Sequence, residues 1–214
     1  MCSMMKLLLV ADIHDGIRNI KAVGGNYDAV IAAGDFTYRK SLSAAIEVLE
    51  ALAQIAPVYF VPGNTDPPEL ANYETNVIKP LHGRTQKLGP YTIGGAGGSL
   101  PTPFNDLFRV SEEELETLLR SLNPTPQILV VHNPPRGHLD KVGGVKPVGS
   151  IAVKRYIEEK QPLLSVHGHI HEDRSLDVLG DTILVNPGSL KDGHYAEATL
   201  DGTKIIVQLR SIKI

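Results

Sequence analysis

Five apolar runs of this 214-residue chain each stop at side chains that bind metal ions. Residues 6–11 lead into Asp12-Ile13-His14, residues 29–33 into Gly34-Asp35, and residues 58–61 into Gly63-Asn64-Thr65-Asp66. Residues 127–131 lead into His132-Asn133-Pro134-Pro135, and residues 163–166 into Gly168-His169-Ile170-His171. Short apolar runs bounded by turn residues read as buried strands. Ligand groups that always follow the strand constrain the topology. Parallel strands gather their carboxyl ends on one edge, where open α/β sheets place their sites. A sixth fragment, Asn186-Pro187-Gly188-Ser189, follows the run 182–185 in the same manner.

The intervening segments agree with this reading. Residues 17–23 form a short helix closed by Gly24-Gly25. Ser41 caps an amphipathic helix whose apolar face is Leu42, Ala45, Ile46, Leu49, Leu52 and Ala53. Residues 85–88 and 91–94 pair across Gly89-Pro90, and residues 94–106 form a Gly/Pro-rich loop. Ser111 and Glu114 make a capping box for a helix through Leu122, and 150–159 is a further helix after a long loop. The end of the chain turns to strands at 175–179, 182–185, 195–200 and 204–209, with turns at Gly180-Asp181 and Asp201-Gly202. Strand-helix alternation followed by antiparallel strands predicts a mixed α/β and α+β domain with two facing mixed sheets flanked by helices.

At this length the chain can bury one core, and a single domain over 1–214 is expected. A net charge of −3 supplies no global basic field, so long nucleic acid is not an expected partner. The single cysteine, Cys2, cannot close an internal disulfide, which points to a reducing compartment. No apolar run reaches the length of a membrane span or a signal peptide, so no membrane partner and a cytoplasmic location are expected.

Taken singly, each fragment has a plain reading. An Asp after a strand caps a helix or forms an Asx-turn, and a lone His is usually hydrogen-bonded or exposed. Together they are informative, because mixed oxygen and nitrogen donors suit two divalent cations in one site. Asp12 and His14, like His169 and His171, are two residues apart, and in an extended segment their side chains share one face.

Asp12-x-His14, Gly34-Asp35, Gly63-Asn64-x-Asp66, His132 and Gly168-His169-x-His171, in that order, resemble the signature of the calcineurin-like metallophosphoesterase family. The small, single-domain phosphodiesterase branch is the nearest likeness. The resemblance implies a four-layer α-β-β-α sandwich. It implies one cation held by Asp12, His14, Asp35 and His171 and another by Asp35, Asn64, His132 and His169, with Asp35 bridging. Mn²⁺, Fe, Zn²⁺ and Ni²⁺ all accept such ligands, Mn²⁺ being the expected choice in vitro. A water or hydroxide shared between the cations then attacks phosphorus in line with the leaving oxygen. On the same resemblance Asp35, Asn64, Asp66 and His132 would form the catalytic set, with Asp66 holding the Asn64 turn or a water.

Many members of that family carry His after the Asn; this chain carries Thr65. A threonine hydroxyl donates a hydrogen bond but is no general acid at neutral pH. Leaving-group assistance should therefore be weakened, and His138 is the candidate replacement. Arg136, in the long loop after His132, and Arg39 are the expected phosphate contacts. The expected activity is a metal-dependent phosphodiesterase, or broader phosphoesterase, on small phosphate esters or nucleotides. The alternative is a non-catalytic interaction scaffold of the same fold. Thr65 favours the scaffold; the complete ligand set opposes it.

Overall fold

The computed structural model describes residues 4–212; Cys2 lies outside them. In chain order the elements begin β1 (Met5–Val10), α1 (Ile17–Ala22), β2 (Ala29–Ala32), α2 (Leu42–Ala53), β3 (Val58–Phe60) and β4 (Ile78–Pro80). They continue with β5 (Arg84–Leu88), β6 (Tyr91–Ala96), α3 (Glu112–Ser121), β7 (Ile128–Val131), β8 (Lys141–Val142), β9 (Lys146–Pro147) and α4 (Ile151–Lys160). The chain ends with β10 (Leu164–Val166), β11 (Ser175–Leu179), β12 (Thr182–Asn186), β13 (His194–Asp201) and β14 (Lys204–Ser211).

Two six-stranded sheets result, ordered β14-β13-β1-β2-β3-β4 and β11-β12-β10-β7-β6-β5. In the first, β1, β2, β3 and β4 run parallel while β13 and β14 are antiparallel to their neighbours. In the second, β12, β10, β7 and β6 are parallel, flanked by antiparallel β11 and β5.

Strand periodicity builds the layers. On β1, Leu7 and Leu9 point between the sheets, where they meet Ile31, Ile93, Val130 and Val166. Leu8 and Val10 point the other way, into a core with Leu49 and Leu52 of α2. On β7, Ile128 and Val130 face the inter-sheet core, whereas Leu129 and Val131 meet Leu115, Leu119, Val153 and Ile157 of α3 and α4. The central strands, such as β2 and β7, are therefore buried on both faces, which is why they read as continuous apolar runs, whereas β5, β11 and β14 are partly exposed. The result is the expected four-layer α-β-β-α sandwich.

The α2 stripe differs in detail from the reading of the sequence. Its buried residues are Ala44, Ala45, Val48, Leu49 and Leu52, and Leu42 is exposed at the first turn. β4 falls in a stretch for which the sequence predicts no element, and the β8–β9 hairpin falls in the long loop before α4. The hairpin strands are two residues each and exposed, so they carry no burial pattern. No described helix is long and apolar enough to cross a membrane.

Candidate metal centre

The carboxyl ends of β1, β2, β3, β7 and β10 converge on one edge, and the loops leaving them hold the ligand groups. The sheets meet there through a bridge between Ala11 and Ser189. Backbone bonds lace the loops together: Asp12 N donates to Gly34 O at 2.9 Å, and Ile13 N and His14 N both donate to Asp35 O. Asn186 Nδ2 donates to Ile170 O at 2.7 Å, and Ser189 Oγ donates to Asp12 O at 3.1 Å. The Asn186-Pro187-Gly188-Ser189 turn thus supports the ligand loops.

These loops are not extended, contrary to the expectation for Asp12/His14 and His169/His171. Asp12, His14, Asp35 and His169 all have positive φ, between 45° and 73°. Such backbone is sparsely populated by residues other than glycine and is held where surrounding bonds over-determine it. The tight left-handed turns, rather than a shared strand face, aim the paired ligands together. Gly34, with φ of 91°, sits where a Cβ would lie 2.7 Å from His132 Nδ1 and 2.6 Å from Gly63 N, so the β2 and β3 loops pack only through glycine.

All seven expected ligand side chains meet in this edge. His14 Nε2 lies 3.3 Å from His171 Nε2 and 3.7 Å from Asp35 Oδ2. His171 Nε2 is 3.3 Å from Asp12 Oδ1. On the other side, His132 Nε2 lies 3.5 Å from Asp35 Oδ1 and 3.0 Å from Asn64 Oδ1, and His169 Nδ1 is 2.9 Å from the same Asn64 oxygen. Two compact triads emerge, Asp12–His14–His171 and Asp12–Asp35–His132. Asp12 reaches both, where the reading of the sequence shared only Asp35.

The donor set fits a cation. His132 Nδ1 is 2.6 Å from Ala33 O, and a carbonyl only accepts, so Nδ1 carries a proton. In neutral His132 the Nε2 lone pair then faces Asn64 Oδ1. That oxygen is also an acceptor, because Asn64 Nδ2 donates to Asp106 Oδ1 at 2.8 Å. Two acceptors facing each other at this distance need a cation, a proton or a metal ion, to reconcile them.

Electrostatics separate the two halves. Burial works against the His171 charge, but the hydrogen bond and charge of Asp12 outweigh it and raise this imidazole to about 9. Asp12 is correspondingly held down to about 2, its burial offset by His171. Burial, reinforced by His132, lowers His169 to about 4, and burial likewise lowers His14.

Asp66 is fully buried and accepts from Gly63 N, Phe36 N and Thr37 N at 2.8, 2.8 and 3.2 Å. It ties the β2 loop to the β3 loop, and burial with the nearby Asp35 charge pushes it up to about 7. Thr65 N donates to Asp35 Oδ1 at 2.9 Å, while the buried Thr65 hydroxyl has no hydrogen-bond partner among the described residues.

The expected substrate contacts lie elsewhere. Arg39 is taken up by Asp15 at 2.9 Å and Glu47 at 2.8 Å, because the turn after Asp35 carries its side chain back toward α2. Arg136 is exposed, its backbone tied to Ser150, and His138 is paired with Asp177 at 2.7 Å. None of the three lines the cleft of about 760 Å³ over the ligand edge; the lysines that do are Lys40 and Lys146. Tyr38, unremarked in the sequence, stacks on His14 with ring centroids 3.7 Å apart. Asp106 closes the Gly/Pro-rich loop and orients Asn64. Neither residue carries a pattern that a single sequence reveals.

Comparison with known proteins supports the same grouping. The family model for metallophosphoesterases of the calcineurin superfamily matches residues 28–209. An uncharacterized protein of Methanocaldococcus jannaschii is 30% identical over 201 residues, covering 87% of this chain and 89% of the relative. Among solved structures, the TT1561 protein of Thermus thermophilus superposes with a TM-score of 0.74 at 18% identity, covering 99% of this chain and 100% of that one. A dimetal phosphatase from Danio rerio gives a TM-score of 0.65 at 13% identity, covering 98% and 96%. These likenesses carry the fold, and the family match carries membership: the chain belongs to the calcineurin superfamily of metallophosphoesterases.

Proposed function

We propose that the protein is a binuclear-metal-dependent phosphoesterase acting as a phosphodiesterase on small phosphate esters or nucleotides, rather than on long nucleic acid. The observation that carries this reading is the Asp35 carboxylate. One of its oxygens faces His132 Nε2 at 3.5 Å and the other faces His14 Nε2 at 3.7 Å, as a bridge between two ions requires. Asp12, His14, Asp35 and His171 would hold one cation, and Asp35, Asn64, His132 and His169 the other. Bound there, divalent cations supply a nucleophilic water near neutral pH and polarise the phosphate oxygens.

The chain's own residues do the rest. Thr65 N–H fixes the rotation of Asp35 by bonding Oδ1. Asp66 locks the two glycine-bearing loops in register, so the ligand spacing does not relax when the cleft fills. Thr65 lines the cleft, but its hydroxyl is buried and is no general acid, so esters with acidic leaving groups are the better substrates.

The test is turnover of a panel of mono- and diesters with Mn²⁺, Zn²⁺, Ni²⁺ or Fe²⁺, on wild type and on Asp35→Asn. Diester turnover that depends on added metal and falls by about 100-fold or more in a folded Asp35→Asn variant is the expected result. Metal binding without turnover of any ester would instead favour the scaffold reading, and full activity in Asp35→Asn would contradict the bridge.

A further inference from the structure

The cleft extends well beyond the ligand edge. At about 760 Å³ it falls in the range of sites that enclose whole small molecules. The loop after β6 contributes Leu100, Pro101, Pro103 and Phe104 to its lining, and the hairpin region contributes Val142 and Val148. None of these six can carry a charge. Phe104 is 75% exposed and Val142 43% exposed. Large apolar surface left open beside polar ligand groups gains free energy only when something apolar covers it. The loop that carries Phe104 is anchored rather than slack: Thr102 N and Oγ1 donate to Asp106, whose side chain is buried, and Leu107 N donates to Asn64 O at 2.8 Å. A presented aromatic ring on an anchored loop is preorganised for binding. Lys40 and Lys146 line the same cleft, and Lys40 Nζ is held by Asn105 O at 2.9 Å. Their charge suits an occupant that stays anionic.

We propose that this apolar wall is a subsite for a flat aromatic group attached to the phosphate, so that the substrates are aryl- or nucleobase-bearing phosphate esters rather than phosphorylated polyols. The proposal rests on the phosphoesterase reading and names its substrate class. Phe104 and Val142 discriminate by covering the ring, and Lys40 and Lys146 hold the charge of the ester.

The test uses hydrolysis-proof ligands of matched charge: methylphosphonate against phenyl-, benzyl- and 3-phenylpropylphosphonate, by calorimetry on the Mn²⁺-loaded protein. At least one aryl member should bind about tenfold tighter than methylphosphonate. Phe104→Ala and Val142→Ser should each shrink that ratio toward one, while Ile206→Ala, a surface control on β14 that does not line the cleft, should preserve it. Equal binding of methyl and aryl members, no binding of either, or a ratio untouched by Phe104→Ala would overturn the subsite. Turnover of bis(p-nitrophenyl) phosphate in the same preparation tests the activity separately. Aryl preference without turnover leaves the subsite standing and removes the phosphoesterase reading; turnover without aryl preference does the reverse.

Discussion

Asp106 Oδ1 accepts a 2.8 Å hydrogen bond from Asn64 Nδ2, and this bond decides which end of the carboxamide looks into the metal centre. With the amide nitrogen tied back, Oδ1 faces His132 and His169. Burial opposes the Asp106 charge, but Thr102, Asn64 and Arg109 together hold its carboxyl below the usual range, so it stays an acceptor.

Replacing Asp106 by Ala frees the Asn64 carboxamide to rotate. The expected cost is about 10- to 100-fold in affinity for the Mn²⁺ ion that Asn64 would hold. Calorimetric titration of wild type and variant checks this, and unchanged affinity would contradict the orienting role.

Metal binding should compete with a proton at His171. This imidazole is raised to about 9 by Asp12 and is charged in the metal-free protein at pH 7, yet a ligand must be neutral. The sign follows: loading releases about one proton at pH 7, and affinity for that ion rises up to about tenfold per pH unit until pH 9. In the metal-free protein the Asp12–His171 pair stabilises the fold fully between about pH 4 and 6.5; that contribution is lost as pH rises through 9 and, at the acid end, as pH falls toward 2. Calorimetry in buffers of different ionisation enthalpy counts the proton; a pH-independent affinity between 6.5 and 9 would contradict the pairing.

His167 behaves in the opposite sense. It is fully buried, hydrogen-bonded to Ser165 Oγ at 2.9 Å and to Val131 O at 3.0 Å, and burial lowers it to about 4. Its folded value lies below the unfolded one, so the neutral form contributes stability above about pH 6.5 that is lost as pH falls toward 4. The contribution is on the order of 3 kcal/mol. Denaturant unfolding of the metal-free protein between pH 4 and 6.5 should show a slope smaller by about one proton in His167→Asn. An identical slope would show that His167 does not titrate there.

Thr65→His places a proton donor beside the ligand edge. Turnover of alkyl phosphodiesters should rise by about tenfold or more, and turnover of nitrophenyl diesters, whose leaving group needs no proton, should change little. Equal effects on both substrates would contradict the account of position 65.

What the sequence displays and what it hides divide along physical lines. Strands buried on both faces, such as β7 and the buried end of β1, are apolar there, and the ligands follow within one or two residues, so both the layers and the metal-seeking set are readable. Helix caps at Ser41, Ser111 and Ser150 are local and equally readable; each hydroxyl accepts a backbone N–H three residues on. The left-handed turns at Asp12 and His14 are not, because only the crossing loops of other strands enforce them. Asp106 and Tyr38 act through partners 42 and 24 positions away, and no local pattern records such a pairing. Arg39 drew attention as a cation near a ligand loop, but Asp15 and Glu47 claim it, and Lys40 beside it reaches the cleft instead.

Anomalous diffraction from crystals soaked in Mn²⁺ tests the binuclear centre most directly. Two peaks about 3.5–4 Å apart are expected, one among Asp12, His14, Asp35 and His171 and one among Asp35, Asn64, His132 and His169. A single peak, or no density between these side chains, would contradict it.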